Sequence, residues 1–316
     1  MINTTQIFQD FWQNLPKLFK LSVVEHLDYK SRCCLRKCSK IDRDFVDLIP
    51  IVLEHVKIKL GHNKTAQIVF NDNNDDDNVK FYPTEDIIRD FSSIFENPRS
   101  KVNQVEINGF TRGHDPLTLE VFEGLLAKIM EKNVKMNTKK FNFIIEFFNY
   151  EDLFVDLVKT TNPKILKSIS IFHGITRRCL ESLKDTEQWR NLKKVGFGDI
   201  ESVNVDWLMH LEKIRFNVKE ISAKDVWKMI QNFLSKNVPI QSYIDIKRNQ
   251  EQDVNEFLDY FSKQDVVLKN EPISARDSQL YIHTQKFKFP SEDKVLLLKL
   301  NVWRIYVFVG RASRYE

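Results

Sequence analysis

The sequence predicts an α/β protein, with a small helical module in front of a larger unit in which strands and helices alternate. Three observations carry that expectation. Residues 15–49 hold two series of apolar side chains at helical spacing. From about Val102 short strand-like stretches alternate with amphipathic helices. The whole chain, 316 residues with 42% hydrophobic and 29% charged side chains, has a globular protein's composition and enough Phe (24) and Trp (5) to fill a sizeable core.

In the first unit Leu15-Pro16 opens a helix, proline being suited to a first turn. Leu18, Leu21, Val24 and Leu27 follow at helical spacing, with Phe19 and Val23 widening the apolar face. Asp28-Tyr29-Lys30-Ser31 interrupts the pattern and offers caps for a second helix. Cys34, Cys38, Ile41, Phe45 and Leu48 then fall in steps of four and three, on one helical face. A module of this size, residues 10–50, buries too little surface to be comfortable alone and is expected to lean on a partner or on the rest of the chain.

Residues 51–101 read as a connecting segment. It begins with an alternating stretch, His55 to Leu60, and contains the acidic run Asn71 to Asn78. That run has neither the glycine nor the final glutamate of a calcium loop and is expected to be a solvated loop.

Residues 102–316 form the expected α/β repeat domain. Strands are expected at Val102–Asn108, Lys140–Ile145, Leu166–Phe172, Lys193–Phe197, Lys213–Val218 and Ser242–Lys247. Helices are expected at Leu117–Lys132, Asp152–Thr160, Cys179–Leu192, Ala223–Ser235 and Asp253–Ser262. Such alternation implies βα units and a parallel sheet. The units recur without a Gly-rich loop, and Asn162-Pro163-Lys164 is echoed by Asn237-Val238-Pro239 ahead of a strand. The expected fold is therefore a curved, leucine-rich-repeat-like solenoid. The apolar stretch Val295 to Val309 contains Lys299, Asn301 and Arg304 and reads as core strands, not a membrane span.

Several functions are disfavoured. The net charge is only +4, from 48 basic and 44 acidic side chains, which argues against nucleic acid or an anionic membrane as the main partner. Glycine is scarce, 8 in 316, so phosphate-cradling loops have little to draw on. Met1 to Asn14 shows no basic region followed by an apolar run, so no signal peptide is expected. The four cysteines make no disulfide framework and suit a reducing compartment, the cytoplasm or nucleus. Cys33, Cys34 and Cys38 lack a second pair or a nearby histidine to complete a zinc site. The seven histidines are dispersed, Gly196-Phe197-Gly198 reads as a turn, and no nucleophile motif or paired carboxylates stand out. No catalytic residue, metal site or cofactor is expected.

The run LPKLFKLSVVEHLDYKSRCCLRKCSKIDRDFVD, Leu15 to Asp47, resembles the F-box of the large nematode families. NPKILKSISI, TEQWRNLKKV and ISAKDVWKMIQNFL resemble the FTH domain that accompanies those F-boxes, over about residues 120–265. The resemblance implies a division of labour. The helical module docks on a Skp-type adaptor that bridges to a cullin of a ubiquitin ligase, and the other domain captures a protein target. Carried over by position, Leu15, Pro16, Leu21, Val24, Leu27, Leu35 and Ser39 are the implied docking surface or its support. Leu18 departs from the acid many F-boxes place there, and Phe45 lies near where tryptophan is common.

Other readings stay open at this level. By periodicity alone Leu15, Pro16, Leu21 and Leu27 read as the core of an ordinary helical hairpin, and it is the resemblance that makes them a docking surface. The basic stripe Lys30, Arg32, Arg36, Lys37, Lys40 and Arg43 is either a solvated face or a steering surface, with Asp42 as its counterweight. Trp189, Trp227, Phe172 and Phe197 are packing residues or anchors for a target. A scaffold that binds another protein, such as an RNA regulator, without sending it for degradation is the alternative function.

Overall fold

Along each central strand apolar and polar side chains alternate, so the sheet is built with one face to bury and one to leave open. The computed structural model describes residues 12–60, 66–70, 84–109, 116–145, 151–264, 267–270, 274, 279–289 and 293–315. It opens with three short helices, α1 (Lys17–His26), α2 (Tyr29–Arg36) and α3 (Lys40–Leu48). The strands β1 (Val52–Leu60) and β2 (Ala66–Phe70) and helix α4 (Thr84–Ile94) follow. Next come β3 (Lys101–Gly109), α5 (Pro116–Glu131), β4 (Thr138–Ile145), α6 (Glu151–Lys159), β5 (Ser168–Ile171), α7 (Arg177–Lys184), α8 (Glu187–Asn191) and β6 (Lys194–Ile200). The chain continues through β7 (Lys213–Val218), α9 (Ala223–Ser235), β8 (Tyr243–Arg248), α10 (Val254–Ser262), β9 (His283–Lys288), β10 (Lys294–Asn301) and β11 (Arg304–Arg311).

The eleven strands among the described residues form one sheet in the order β2-β1-β3-β4-β5-β6-β7-β8-β11-β10-β9. From β1 through β3 to β8 neighbours are parallel, and each connection steps one strand in the same direction. Crossovers of one hand then place the helices on one face. The edges differ: β2 pairs antiparallel with β1, and β8, β11, β10 and β9 form an antiparallel run. The fold is thus mixed α/β with N-terminal helices and a large sheet. The stretch expected to be a connecting segment, 51–101, supplies β1, β2 and α4 to this sheet and its core; the acidic run 71–78 lies outside the described residues.

Register shows how the core is made. Val56, Val105, Phe141, Ile169, Val195, Ile214, Ile244 and Val307 lie side by side across eight strands, each at most 1% exposed. One residue further along lies the opposite face: Lys57, Glu106, Asn142, Ser170, Gly196, Arg215, Asp245 and Tyr306. The first row packs under the helices, which contribute Phe91, Leu125, Phe154, Leu180, Phe233 and Phe257, all buried.

Two local readings are corrected. The helix expected over Cys179–Leu192 is two helices, because Thr186 caps α8 by accepting a hydrogen bond from the Trp189 amide at 3.1 Å. Gly196-Phe197-Gly198 is not a turn but the interior of β6, with a register shift between Gly196 and Asp199. A Cβ on Gly198 would sit 2.6 Å from the Phe172 carbonyl oxygen, so glycine is required by close backbone approach. The two Asn-Pro motifs also close differently. Asn237 takes a left-handed conformation (φ 49) behind α9, whereas the Asn162 side chain accepts from the Lys164 amide.

His283 on β9 is buried, and its Nε2 has no hydrogen-bond partner among the described residues. Burial lowers its pKa below the ordinary histidine value. The unfolded chain therefore takes up this proton first, so the stability His283 contributes is full above pH ~6.5 and lost as pH falls through the depressed folded value. Urea unfolding at pH 7 and pH 5 should show a smaller acid loss for His283→Phe than for the native chain; equal losses would remove His283 as a cause.

Candidate functional site

The N-terminal module is set by two caps. The Asp28 carboxylate accepts from the Ser31 amide at 2.7 Å and starts α2; that hydrogen bond lowers its pKa. Ser39 starts α3: its Oγ accepts from the Asp42 amide at 3.1 Å and donates to Asp42 Oδ2 at 2.7 Å. Trp12 Nε1 donates to the other carboxylate oxygen of Asp42 at 2.6 Å, tying α3 to the chain ahead of α1. Asp42 is thereby buried, with its carboxylate oxygens hydrogen-bonded to Trp12 and Ser39.

Two members of the basic stripe have structural roles. Arg32 donates from Nε to the Leu27 carbonyl at 3.0 Å, from Nη1 to Pro50 at 3.1 Å and from Nη2 to Glu25 at 2.9 Å. Arg36 forms a two-pronged pair with Asp47, at 2.7 and 3.1 Å. Arg32 thus holds the end of α1, the start of α2 and the exit of α3 together. Arg32→Ala should cost about 2 kcal/mol of stability in urea unfolding. Lysine should not rescue it, since one ammonium cannot span three carbonyls. A change within the error of the native midpoint would show that these bonds are replaced by water without cost.

The module has its own small core of Val24, Val46 and Ile49, with Trp12, Leu21 and Leu35 packed against it. It is fastened to the β2–β1 end of the sheet. Tyr29 meets Phe70 ring to ring at 4.4 Å, Arg99 Nη2 donates to the Leu48 carbonyl at 3.1 Å, and Ser100 Oγ accepts from the Ile51 amide at 2.9 Å.

The seven residues implied by resemblance divide by burial. Val24 is fully buried and supports the module from within, whereas Ser39 is exposed and supports it as the cap of α3. Leu15, Leu21, Leu27 and Leu35 are half-buried, and Pro16 is exposed at the start of α1. The most exposed apolar side chains of the module were not among them: Leu18 (81%), Phe19 (60%), Ile41 (62%) and Leu48 (48%). Cys34 and Cys38 are exposed too, so most of the series Cys34, Cys38, Ile41, Phe45, Leu48 faces outward. The buried stripe of α3 is offset by one position: Asp42, Val46 and, just past its end, Ile49.

Cys33 is half-buried and burial raises its pKa, while Cys38 Sγ donates to the Cys34 carbonyl at 3.4 Å. No group of His, Cys, Asp and Glu able to hold a metal is found among the described residues, and no described helix is long and apolar enough to cross a membrane. Of the four aromatics considered as anchors, Trp189, Trp227 and Phe197 are buried and Phe172 is exposed at the end of β5. Trp189 stacks on Phe197 and donates from Nε1 to the Trp207 carbonyl at 3.1 Å.

On the open face of the sheet the carboxylate of Asp245 is buried between two arginines. Arg215 Nε donates to Oδ2 at 2.9 Å, and Arg304 Nε donates to Oδ1 at 2.7 Å. Each guanidinium also lies over a tyrosine, Arg215 over Tyr243 at 5.8 Å and Arg304 over Tyr306 at 5.2 Å.

Residues 12–53 match the F-box domain family and residues 118–264 match the FTH domain family. The chain is similar to F-box A protein 224 of Caenorhabditis elegans, 24% identical over 230 residues, which covers 66% of this chain and 59% of that relative. No solved structure matches. The matched boundaries coincide with the architecture: the F-box match ends as β1 begins, and the FTH match runs from α5 to the end of α10. The chain carries an F-box domain followed by an FTH domain, the make-up of a nematode F-box/FTH protein.

Proposed function

We propose that the chain is a non-enzymatic substrate receptor of a Skp–cullin–F-box ubiquitin ligase, with a boundary between its two tasks near residue 50. F-box domains in general bind Skp-type adaptors. The single observation that carries the reading here is the set of outward apolar side chains on α1 and α3, Leu18, Phe19, Ile41 and Leu48, which none of the described residues buries. A helical surface of this kind suits packing against helices of another protein. Leu15, Pro16, Leu21, Leu27 and Leu35 flank or back that surface, and Val24 and Ser39 hold its shape.

The α/β part presents the target. Helices pack about 8–10 Å apart while neighbouring strands lie about 4.8 Å apart. A single helix layer on one face therefore favours bending the sheet with its open face inward, as in leucine-rich repeats. Ubiquitin transfer then follows from proximity: a target held beside a charged conjugating enzyme reacts at high effective concentration, and no residue of this chain touches the chemistry. The working place is the cytoplasm or the nucleus, where such ligases act.

Reconstitution tests the proposal. The full chain is incubated with a Skp-type adaptor, cullin, RING subunit, activating and conjugating enzymes and ubiquitin. Adaptor-dependent conjugation of ubiquitin to the chain's own lysines is the expected result. Conjugation that is absent, or unchanged when the adaptor is omitted, contradicts it.

A further inference from the structure

The open face over β6, β7, β8 and β11 carries an unbalanced positive charge. Lys194, Lys213, Arg215, Lys247 and Arg304 all project from it, because each occupies the register opposite the core row. Two carboxylates share the face, and both are engaged. Asp245, buried, is taken by the two arginines. Asp199 accepts from the Asn217 and Asn249 amides at 3.1 and 3.0 Å. Lys194, Lys213 and Lys247 have no ion-pair partner among the described residues. Five cations against two anions leave +3 on this one surface, nearly the +4 of the entire chain.

The geometry around these charges favours an extended chain. Ser170 and Gly196 lie beside Arg215 in one register row, so a shallow strip free of large side chains runs past the guanidinium. Both arginines spend Nε on Asp245 and are braced over tyrosine rings, which leaves their terminal nitrogens held in place at little entropic cost. Arg215 is also close enough to Lys194 to lower the lysine's pKa, after burial as the larger cause.

We propose that this face binds an acidic segment of a target protein, a run of Asp and Glu lying extended across β6–β8 and β11 with its carboxylates on Arg215, Arg304 and the three lysines. The inference rests on the reading of the α/β part as the target-holding end. Charge complementarity identifies the occupant: a surface with its own acids consumed needs carboxylates from outside, and guanidinium forks match them. RNA is the less fitting polyanion. On these four strands the rings are already engaged, Tyr243 and Tyr306 by arginines and Phe308 by Tyr306 at 6.3 Å. The exposed Phe172 at the end of β5 is a lone ring where a run of bases needs a series of platforms.

The test uses the full chain and two fluorescent probes, a decaglutamate peptide and a ten-nucleotide uridine RNA, read by anisotropy at low and moderate salt. The native chain should bind the peptide more tightly than the RNA, with affinity falling as salt rises. Lys213→Glu/Lys247→Glu, which touches neither Asp245 nor the core, should weaken peptide binding at least tenfold. Arg215→Ala should weaken it severalfold, and Lys224→Glu, on the exposed side of α9, should change nothing. No peptide binding, equal binding by the double variant, or tighter binding of RNA overturns the proposal. Adaptor capture is measured on the same preparations. Adaptor bound with no peptide bound sinks this inference alone, and peptide bound with no adaptor bound sinks the ligase reading alone.

Discussion

Replacing Phe19 and Ile41 together by glutamate lowers the affinity for a Skp-type adaptor by at least about a hundredfold and leaves the unfolding midpoint unchanged. The two side chains are 60% and 62% exposed, so the folded chain gains almost nothing from them. Buried in an interface, a phenylalanine and an isoleucine each contribute about 1.5–3 kcal/mol through removal of apolar surface from water, and a carboxylate in their place adds desolvation without a partner. The fold should tolerate the change well. Phe19 lies in the first turn of α1, after the cap at Pro16, and Ile41 in the first turn of α3, after the cap at Ser39, where acidic side chains meet the positive end of the helix. Titration calorimetry with the adaptor, beside thermal unfolding of the free variant, checks both halves. Unchanged affinity would place the docking surface elsewhere; a lowered midpoint would make these residues part of the core.

The second large effect is on stability and tests the assignment of the two sheet faces. Phe216 in β7 is fully buried under the helix layer, while Lys213, three residues earlier on the same strand, points from the open face. Phe216→Ala should cost about 3–5 kcal/mol, the loss of transfer energy plus the cavity left behind. Lys213→Ala should stay within about 0.5 kcal/mol, as a surface change away from any cap or pair. A domain with a net stability of about 5–15 kcal/mol would feel the first and not the second. Urea unfolding of both variants decides it. Comparable costs would mean that the supposedly open face is covered.

Much of this architecture is legible in the sequence because strand and helix periods differ. Lys213–Val218 and Ala223–Ser235 were expected with the ends they have, and the other expected strands are displaced by a few residues at most. The parts that were not legible share physical causes. The antiparallel partner of β8, β11, comes from the far C-terminus, and no local pattern announces which strand a distant segment will join. Helix α4 has a clear apolar series, Ile87, Ile88, Phe91 and Ile94, but it follows the acidic run and so reads as connection. Gly198 was misplaced because its reason for being glycine is a carbonyl from another turn of chain.

The candidate site shows the limit most clearly. The series Cys34, Cys38, Ile41, Phe45 and Leu48 reads as one helical face, but the chain turns at residues 37–39, so only Ile41, Phe45 and Leu48 share a helix, and period alone does not say whether that face points in or out. The answer comes from the neighbouring stripe. Val46 and Ile49 fill the module's own core with Val24, and Asp42 is drawn in by Trp12 and Ser39, which turns Ile41 and Leu48 outward. The paired arginines on Asp245 were likewise invisible, since Arg215, Asp245 and Arg304 come from three strands and meet only through register.

Co-purification of the full chain with a panel of Skp-type adaptors tests the central claim most directly. A stable complex with at least one adaptor, intact through size-exclusion chromatography, is the predicted result. A folded chain that elutes alone in the presence of every adaptor would contradict it and leave the exposed face of α1 and α3 to a different partner.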